Sequence, residues 1–392
     1  MKTFVKNLAQ SYFNENRETF GEEAIFVTLI LGEKFRKVTV AELSYTITAG
    51  TIIYRESTRA SGHLSTNLLI KYFDATGSPP GLVPGFASFS QELHFLRSTL
   101  PTFDAAKPIR HLFPSFCASA VIATRSTNRN VVFFEWPLKA DLGKAFPLGF
   151  SRGLLMVKRI AELHASSLLL QRNDAQLFEN LNCAYLERTL FHAPSVLHVL
   201  LNCLQPLYAD HRYETGSSEH FREGVTRLQR LLDDFDDRLN VPFARARAGD
   251  LCWVWCHRDY SQESVVFELA SNKSPADVKI FNCQSMGLAS LGVDLVVPLF
   301  VEIQRGVRSR YVKKLLRQYH VELHASCEGP TYESILSEVH KCVPVALYVL
   351  ARRIIRVQSQ TASSTQSLFE RKVWKESLIT DLYRYLIEFK YV

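Results

Sequence analysis

The sequence predicts an α+β protein in which a small strand-rich part precedes a larger, mainly helical part. Before residue 136, short runs rich in β-branched and aromatic residues alternate with turns. After residue 150, apolar residues recur at the three- and four-residue spacing of amphipathic helices. A chain of 392 residues with 47% hydrophobic composition is long enough for two or three compact parts.

The first part is predicted to contain five strand segments and one helix. The strand segments are "KVTVAELSYTI", "GTIIYREST", "NLLIKYFD", "SAVIATR" and "NVVFFEW". The helix is "FASFSQELHFLRSTLP", in which Phe89, Leu93 and Leu96 share one face. Pro101 is expected to mark the end of this helix, since proline interrupts helical hydrogen bonding.

The second part is predicted to be helical, with a pair of strands in its middle. Helices are expected over "RGLLMVKRIAELHASSLLLQR" and "EGVTRLQRLLDDFDDRLN", and the strand pieces are "SVVFELA" and "DVKIFNC". Helix should resume from "GVDLVVPLFVEIQRG", apart from a polar loop at residues 358–367. This order is the layout of a two-lobed protein-kinase-like fold, with a small antiparallel-sheet N-lobe carrying one helix and a larger helical C-lobe.

Domain limits follow from the same composition change. We expect a helical or extended lead-in over residues 1–40, an N-lobe over residues 41–136 and a C-lobe over residues 137–392. The hinge between the lobes is expected near Glu135 to Leu138.

Composition and charge exclude several functional classes. The chain has 46 basic and 39 acidic residues without a long run of one sign, which argues against a dedicated nucleic-acid-binding arm. No run of eighteen apolar residues and no secretory signal is present, so we expect a cytoplasmic protein without a membrane span. The eight cysteines form no CxxC pair and are expected to be reduced and mostly buried.

The segment "CHRDYSQESVVF" has the outline of a phosphoryl-transfer loop, whose order is His, any residue, Asp, and Asn five places after the Asp. Asp259 is predicted to accept a proton from a substrate hydroxyl or to orient it. His257 is predicted to brace the loop. Asp294 in "GVDL" is expected to cap the following helix and to hold the backbone amides of the loop.

Phosphate binding is assigned to a lysine on a predicted strand. Lys71 in "LLIKYF" is positioned to hold the α- and β-phosphates of ATP, and Glu92 on the intervening helix is predicted to hold the lysine side chain by an ion pair. A phosphate-covering loop normally carries several glycines, whereas "ITAGTIIYRE" contains only Gly50. Gly32 in "LILGEKF" is interpreted as an ordinary turn residue.

The predicted magnesium site lacks its charged ligands. The position five places after Asp259 is Ser264, and the strand position expected to carry a magnesium-binding Asp is Asn282 in "FNCQ". Because magnesium prefers anionic oxygen ligands, two neutral ligands predict a large loss of rate.

Other candidate sites have simpler interpretations. Cys252, Cys256 and His257 lack the second half of a zinc site. The four aspartates of "DDFDD" (residues 233–237) fall largely on the water side of a helix, and "RGVRSRYVKK" (residues 305–314) is interpreted as the exposed face of another helix. A protein kinase is disfavoured because no A-P-E segment follows "FNCQ".

Several motifs together resemble the insect ecdysteroid kinase-like family, within the choline kinase and aminoglycoside phosphotransferase superfamily. They are "FSQELHFLRSTLP", "AELHASSLLLQ", "CHRDYSQESVVF", "FNCQSMGLASLGVDL" and "YHVELHASCEGPTYESILSEVHKC". The similarity covers residues 45 to 350. It implies an ATP and magnesium cofactor and a small-molecule hydroxyl acceptor, with ecdysteroids phosphorylated by the namesake members.

Matched by position, the resemblance keeps Lys71, Glu92 and Asp259 and places Glu135 at the hinge of the nucleotide site. The sequence departs from the family at five positions: Trp136, Arg258, Ser261, Ser264 and Asn282 stand where the family has Asp, Gly, Trp, Asn and Asp.

Two functional hypotheses follow. The first is a weak or inactive ATP-dependent kinase for a small-molecule hydroxyl, using Asp259 and a metal held by Asn282. The second is a fully inactive pseudokinase that binds a steroid-like or lipid-like ligand, or a protein partner, in the former acceptor cleft.

Overall fold

The structure is a computed structural model, and it describes residues 2–15, 24–31, 36–40, 43–56, 64–74, 85–123, 128–135, 140–141, 148–183, 235–243, 250–303 and 308–350. The chain forms two compact units. The first contains residues 1–144 and 261–286, and the second contains residues 145–260 and 287–392. The domain limits expected at residues 40 and 136 stay a prediction.

The first unit is built on an antiparallel sheet. Helix α1 (Lys2–Glu15) precedes strands β1 (Ala24–Leu31), β2 (Arg36–Val40), β3 (Leu43–Glu56), β4 (Leu64–Asp74), β5 (Phe116–Ala123) and β6 (Asn128–Glu135). The strand order is β1-β3-β4-β6-β5, and β2 pairs with β3. Central positions on β4 and β6, such as Leu69, Ile70, Val132 and Phe133, are buried, which explains the apolar runs at the centre of both strands.

One predicted strand is two strands in the structure. The segment "KVTVAELSYTI" folds back on itself, because Val40 of β2 pairs with Leu43 of β3. Strand β3 then continues to Glu56 and includes the next predicted segment, "GTIIYRE". Local propensity does not separate the two strands, since the sequence between Val40 and Leu43 contains neither glycine nor proline.

The helix of the first unit is longer than predicted. It comprises α2 (Gly85–His94), a π-helical segment (Phe95–Thr99) and α3 (Leu100–Ala106). The prediction that Pro101 ends the helix is wrong. Pro101 lies in the first turn of α3, directly after the π-helical segment, and the helix continues beyond it to Ala106.

A second, smaller sheet completes the first unit. Strands β9 (Val265–Leu269) and β10 (Pro275–Ile280) pair antiparallel, as their sequence pattern predicted, and the short β7 (Ala140–Asp141) pairs with β9. Strand β10 ends at Ile280, and the chain then turns toward α2.

The second unit is mainly helical. Its helices are α4 (Phe150–Asn173), α5 (Ala175–Cys183), α6 (Phe235–Asn240), α7 (Gly292–Val296), α8 (Arg308–His324) and α9 (Tyr332–Lys341), with a π-helical segment at Val297–Glu302 and helix at residues 343–350. Strands β8 (Trp253–Cys256) and β11 (Gly287–Ser290) form an antiparallel pair. Helix α4 packs against α8 and β8 through a buried face that includes Ile160, Leu163 and Ser167. The α+β class predicted from the sequence is confirmed.

Several predictions concern side chains and surfaces. Cys252, Cys256, Cys283, Cys327 and Cys342 are free thiols, and all but Cys252 are buried. Lys313 and Lys314 on α8 are exposed, as the basic segment predicted. Among the described residues, no helix is both long and apolar enough to cross a bilayer.

Some predictions fall outside the described residues. These are the turn at Gly32, the hinge at residues 136–138, residues 223–234 of the helix predicted over residues 223–240, and the polar loop at residues 358–367.

Candidate functional site

Lys71 is a fully buried cation on a central strand of the larger sheet. In β4 it pairs with Ile47 of β3 on one side and Val132 of β6 on the other. Its Nζ lies 2.7 Å from Glu92 Oε2, so the predicted ion pair is present. Nζ also donates to Gln284 Oε1 at 2.9 Å and lies 5.1 Å from the centroid of the Phe281 ring.

Glu92 joins this lysine to the segment that follows β10. Helix α2 holds the carboxylate in the core with no exposed surface. While Oε2 binds Lys71, Oε1 accepts the backbone N–H of Cys283 at 3.2 Å. Removing one partner of such a buried pair leaves an uncompensated charge, which typically costs about 3–5 kcal/mol. The pair therefore fixes both the lysine and the start of the segment at residues 282–284.

Gln284 is a site residue that the sequence analysis did not identify. It is 3% exposed, and its side-chain oxygen is the atom that faces Lys71, because an ammonium group only donates hydrogen bonds. Its Nε2 is buried and has no hydrogen-bond partner among the described residues. The available signal was the polar residue at the end of "FNCQ", four residues after the end of β10.

Asn282 lies in a left-handed turn just beyond β10, with φ 64° and ψ 52°. The sequence analysis had placed it on the strand, but β10 ends two residues earlier. Asparagine tolerates this conformation better than most residues. Its Nδ2 donates to the Glu263 carbonyl at 2.9 Å, which leaves Oδ1 buried and without a partner in the described part of the chain.

Ser264 is buried at the start of β9. Its Oγ lies 3.4 Å from Ser261 Oγ, and its carbonyl accepts the N–H of Phe281 at 2.8 Å. The two expected magnesium-ligand positions in this unit thus offer one amide oxygen and one hydroxyl, and the nearby Glu92 is already paired with Lys71. These neutral groups do not fit a divalent cation that prefers carboxylate ligands.

Asp259 belongs to the second unit, in the loop after β8. Its backbone N–H donates to Nδ1 of the buried His257 at 3.3 Å, so His257 braces the loop as predicted. The loop turns at Arg258, which has a positive φ of 64°.

Asp294 holds this loop through its amides. Its Oδ2 accepts the N–H of His257 at 2.6 Å and its Oδ1 accepts the N–H of Arg258 at 2.8 Å, as predicted. The prediction that Asp294 caps a helix is wrong, because it lies inside α7, and Leu291 occupies the N-cap position without a side-chain hydrogen bond. The carboxylate is committed to the loop.

His164 and Tyr319 extend the Asp294 network through the core. His164 Nε2 lies 3.2 Å from Asp294 Oδ2, and His164 Nδ1 lies 2.7 Å from the Tyr319 hydroxyl. All three are buried, and burial raises the pKa of the Tyr319 hydroxyl, which stays neutral. The sequence predicted no role for His164, which stands in the motif "AELHASS".

His164, Cys256 and Asp294 also bring potential metal-ligand atoms within 4.8 Å of one another. However, burial first and the Asp294 charge second raise the pKa of the Cys256 thiol, and its sulfur points at the Ser290 carbonyl at 3.4 Å. Asp294 already accepts three hydrogen bonds. A hydrogen-bonded core explains this cluster without a metal.

Burial also raises the pKa of the Cys252 thiol, to about 12.

Arg258 folds back into the second unit. Its guanidinium donates to the Leu288 carbonyl and lies 5.8 Å from the Phe243 ring centroid. A Cβ at Gly287 would come within 2.7 Å of the guanidinium carbon, so the close approach requires glycine there. This contact accommodates the positively charged side chain of Arg258, at the position where the resemblance expects a glycine.

Two further predicted positions lie elsewhere in the first unit. Gly50 is inside β3 and pairs with Leu31 on one side and Leu68 on the other, so it does not occupy a loop between strands. Glu135 ends β6, and its N–H donates to the Ser115 carbonyl at 2.9 Å.

The sequence was compared with known proteins. A family model described as the ecdysteroid kinase-like family matches residues 45–332. The comparison with curated proteins found no match.

Solved structures similar to this chain include kinases and phosphotransferases. A microcompartment-associated aminopropanol kinase shares 13% identity over 91% of this chain and 93% of its own, with a TM-score of 0.47. A spectinomycin phosphotransferase with ADP and spectinomycin shares 11% over 94% of both chains, with a TM-score of 0.45. The choline kinase LicA from Streptococcus pneumoniae shares 9% over 97% of this chain and 99% of its own, with a TM-score of 0.41.

Proposed function

Because the chain belongs to the ecdysteroid kinase-like family, with its kinase-like α+β fold, we propose that it binds ATP and has weak or no phosphotransferase activity. The single observation that carries this proposal is the buried triad of Lys71, Glu92 and Gln284. It supplies a fixed cation for phosphate, while the expected metal ligands are neutral.

Each residue has a role under this proposal. Lys71 binds a phosphate group of the nucleotide, Glu92 fixes the lysine, and Glu135 lies at the adenine end of the site. Asp259 orients the acceptor hydroxyl or accepts its proton. The acceptor is a small-molecule hydroxyl compound, and the family suggests a steroid-like one. Magnesium would supply charge neutralisation, but Asn282 and Ser264 give it no anionic ligand.

A silent, ligand-binding protein is the second candidate function. The observation that favours it is the neutral character of both metal-ligand positions, Asn282 and Ser264.

The free thiols of the five described cysteines support a reducing compartment such as the cytoplasm.

Thermal unfolding with ATP, in EDTA and in excess magnesium, tests the proposal. ATP should raise the unfolding temperature by a similar small amount in both buffers, because the metal ligands are depleted. Lys71→Met should abolish the shift, whereas Lys313→Met, at an exposed lysine on α8, should leave it unchanged.

Two outcomes would overturn the proposal. Absence of any ATP-dependent shift would remove nucleotide binding, and a large shift that requires magnesium would show an intact metal site.

A further inference from the structure

The side-chain amide of Gln284 has an unusual environment for a buried group. Its oxygen accepts a hydrogen bond from Lys71 at 2.9 Å, so its NH₂ group must face away from the ammonium. This Nε2 is buried and has no partner among the described residues. An unsatisfied buried donor typically costs about 1–3 kcal/mol, and such exceptions call for an explanation such as a bound ligand.

The surrounding charges select the kind of ligand. The Lys71 ammonium binds the oxygen of the same amide group whose Nε2 has no partner among the described residues. Its carboxylate partner Glu92 is balanced by the ion pair and also accepts the Cys283 amide. A metal ion placed at Nε2 would meet the hydrogens of the amide group and a nearby ammonium. An anion with several acceptor oxygens would satisfy the donors and the charge together.

We propose that Gln284 is a phosphate-binding residue, and that its Nε2 and the Lys71 ammonium together form a phosphate subsite that needs no divalent cation. This inference rests on the proposed nucleotide-binding function and adds to it a hydrogen-bond donor for a phosphate oxygen. In the free protein, Gln284 Oε1 holds the lysine in position. When phosphate binds, Nε2 donates to one of its oxygens while Oε1 still accepts from Lys71.

Substitution of Gln284 separates its two contacts. Gln284→Glu keeps an acceptor for Lys71 but removes the donor and adds a negative charge, and Gln284→Leu removes both contacts. Since hydrogen bonds to charged groups contribute about 1.5–3 kcal/mol, each variant should bind ATP in EDTA roughly ten- to hundredfold more weakly. Gln176→Glu, at an exposed glutamine on α5, is the matched control and should bind as the unmodified chain does.

Isothermal titration of the full chain with ATP and, separately, with tripolyphosphate in EDTA measures these affinities, and circular dichroism confirms that each variant is folded. ATP and tripolyphosphate binding that both weaken in Gln284→Glu would support the phosphate subsite. If the unmodified chain binds ATP but Gln284→Glu binds both compounds equally well, the subsite is wrong and the proposed function stands.

The two proposals can also fail in the other order. Gln284-dependent binding of tripolyphosphate without any binding of ATP would support the subsite and overturn the nucleotide function. Binding of neither compound by the unmodified chain would overturn both.

Discussion

At the residue scale, the first unit concentrates its chemistry on one buried cation. Lys71 Nζ contacts one carboxylate and one amide oxygen, at 2.7 Å and 2.9 Å. A buried ammonium group needs such partners because desolvation alone would strongly disfavour its charge. The neighbouring Asn282 contributes no charge but leaves an unsatisfied oxygen in the core. The buried ammonium of Lys71 suits an anion, and Asn282 and Ser264 supply no negative charge for a metal ion.

Restoring the family's metal ligands should reverse this preference. The double variant Asn282→Asp, Ser264→Asn should show ATP binding that depends on magnesium, because it supplies an anionic ligand. At about a hundredfold ligand excess over Kd, such binding would add about 2.7 kcal/mol to the free energy of unfolding. Thermal unfolding with ATP, with and without magnesium, measures the gain.

The double variant should also be less stable without ligand. Asn282 Nδ2 donates to the Glu263 carbonyl, and an aspartate cannot replace that donor. The loss is expected to be about 1–3 kcal/mol. Asn282→Ala is the control, since it removes the same hydrogen bond without adding a charge. If magnesium has the same effect on the double variant as on Asn282→Ala, the two positions do not determine metal binding.

At the element scale, the loop after β8 is held by a helix that lies 36 residues further along the chain. Asp294 of α7 accepts hydrogen bonds from the amides of His257 and Arg258, and Nε2 of His164 on α4 donates to the same carboxylate. The loop conformation, including the positive φ at Arg258, is thus determined from outside the loop. Such overdetermination is what a strained turn requires.

Asp294→Asn should loosen the loop. An asparagine retains only one acceptor oxygen, so at least one buried amide loses its partner. Hydrogen bonds to charged groups contribute roughly 1.5–3 kcal/mol each, and we expect a loss of about 2–3 kcal/mol in the free energy of unfolding. Hydrogen exchange at the amides of His257 and Arg258 should accelerate.

The control for this variant is Asp174→Asn. Asp174 accepts the Leu177 amide at 2.8 Å at an exposed helix start, where asparagine caps equally well. It should be neutral in denaturant unfolding. Unchanged exchange at His257 in Asp294→Asn would contradict the holding role of this carboxylate.

At the scale of the whole molecule, thiol and phenol groups that stay neutral in the folded protein should make its free energy of unfolding fall at alkaline pH. Burial is the main cause that raises the pKa of Cys252, Cys256, Cys283, Cys342, Tyr260 and Tyr319. In the unfolded chain these groups ionise at their ordinary values, so unfolding releases protons in alkaline solution. These neutral groups contribute fully to the free energy of unfolding below pH 9.0, the ordinary pKa of a thiol. Their contribution declines above that pH.

Denaturant unfolding between about pH 7 and pH 11 measures this decline. For Cys252 the loss should be complete near its folded-state pKa of about 12. Cys252→Ala should show a shallower decline, because one thiol no longer contributes. A free energy of unfolding that stays constant up to pH 11 would contradict the prediction.

Much of the fold and part of the site followed from local patterns. Enrichment in β-branched and aromatic residues predicted the strands, the three- and four-residue spacing of apolar residues predicted α2 and α4, and the order of motifs indicated the family. The ion pair of Lys71 and Glu92 was predicted from the hypothesis of phosphoryl transfer. The division of one predicted strand into β2 and β3 and the continuation of the helix past Pro101 were missed, because register and tertiary packing outweigh local propensity there.

The chain's own residues determine its α+β class, its family and the neutral character of positions 264 and 282. Only the tertiary structure decided that Gln284 contacts Lys71, that Asp294 lies inside a helix and does not cap it, and that Gly50 lies inside a strand. The physical reason is that propensity and spacing act over a few residues. Hydrogen bonds between residues 213 positions apart, such as that from Lys71 to Gln284, depend on how the elements pack.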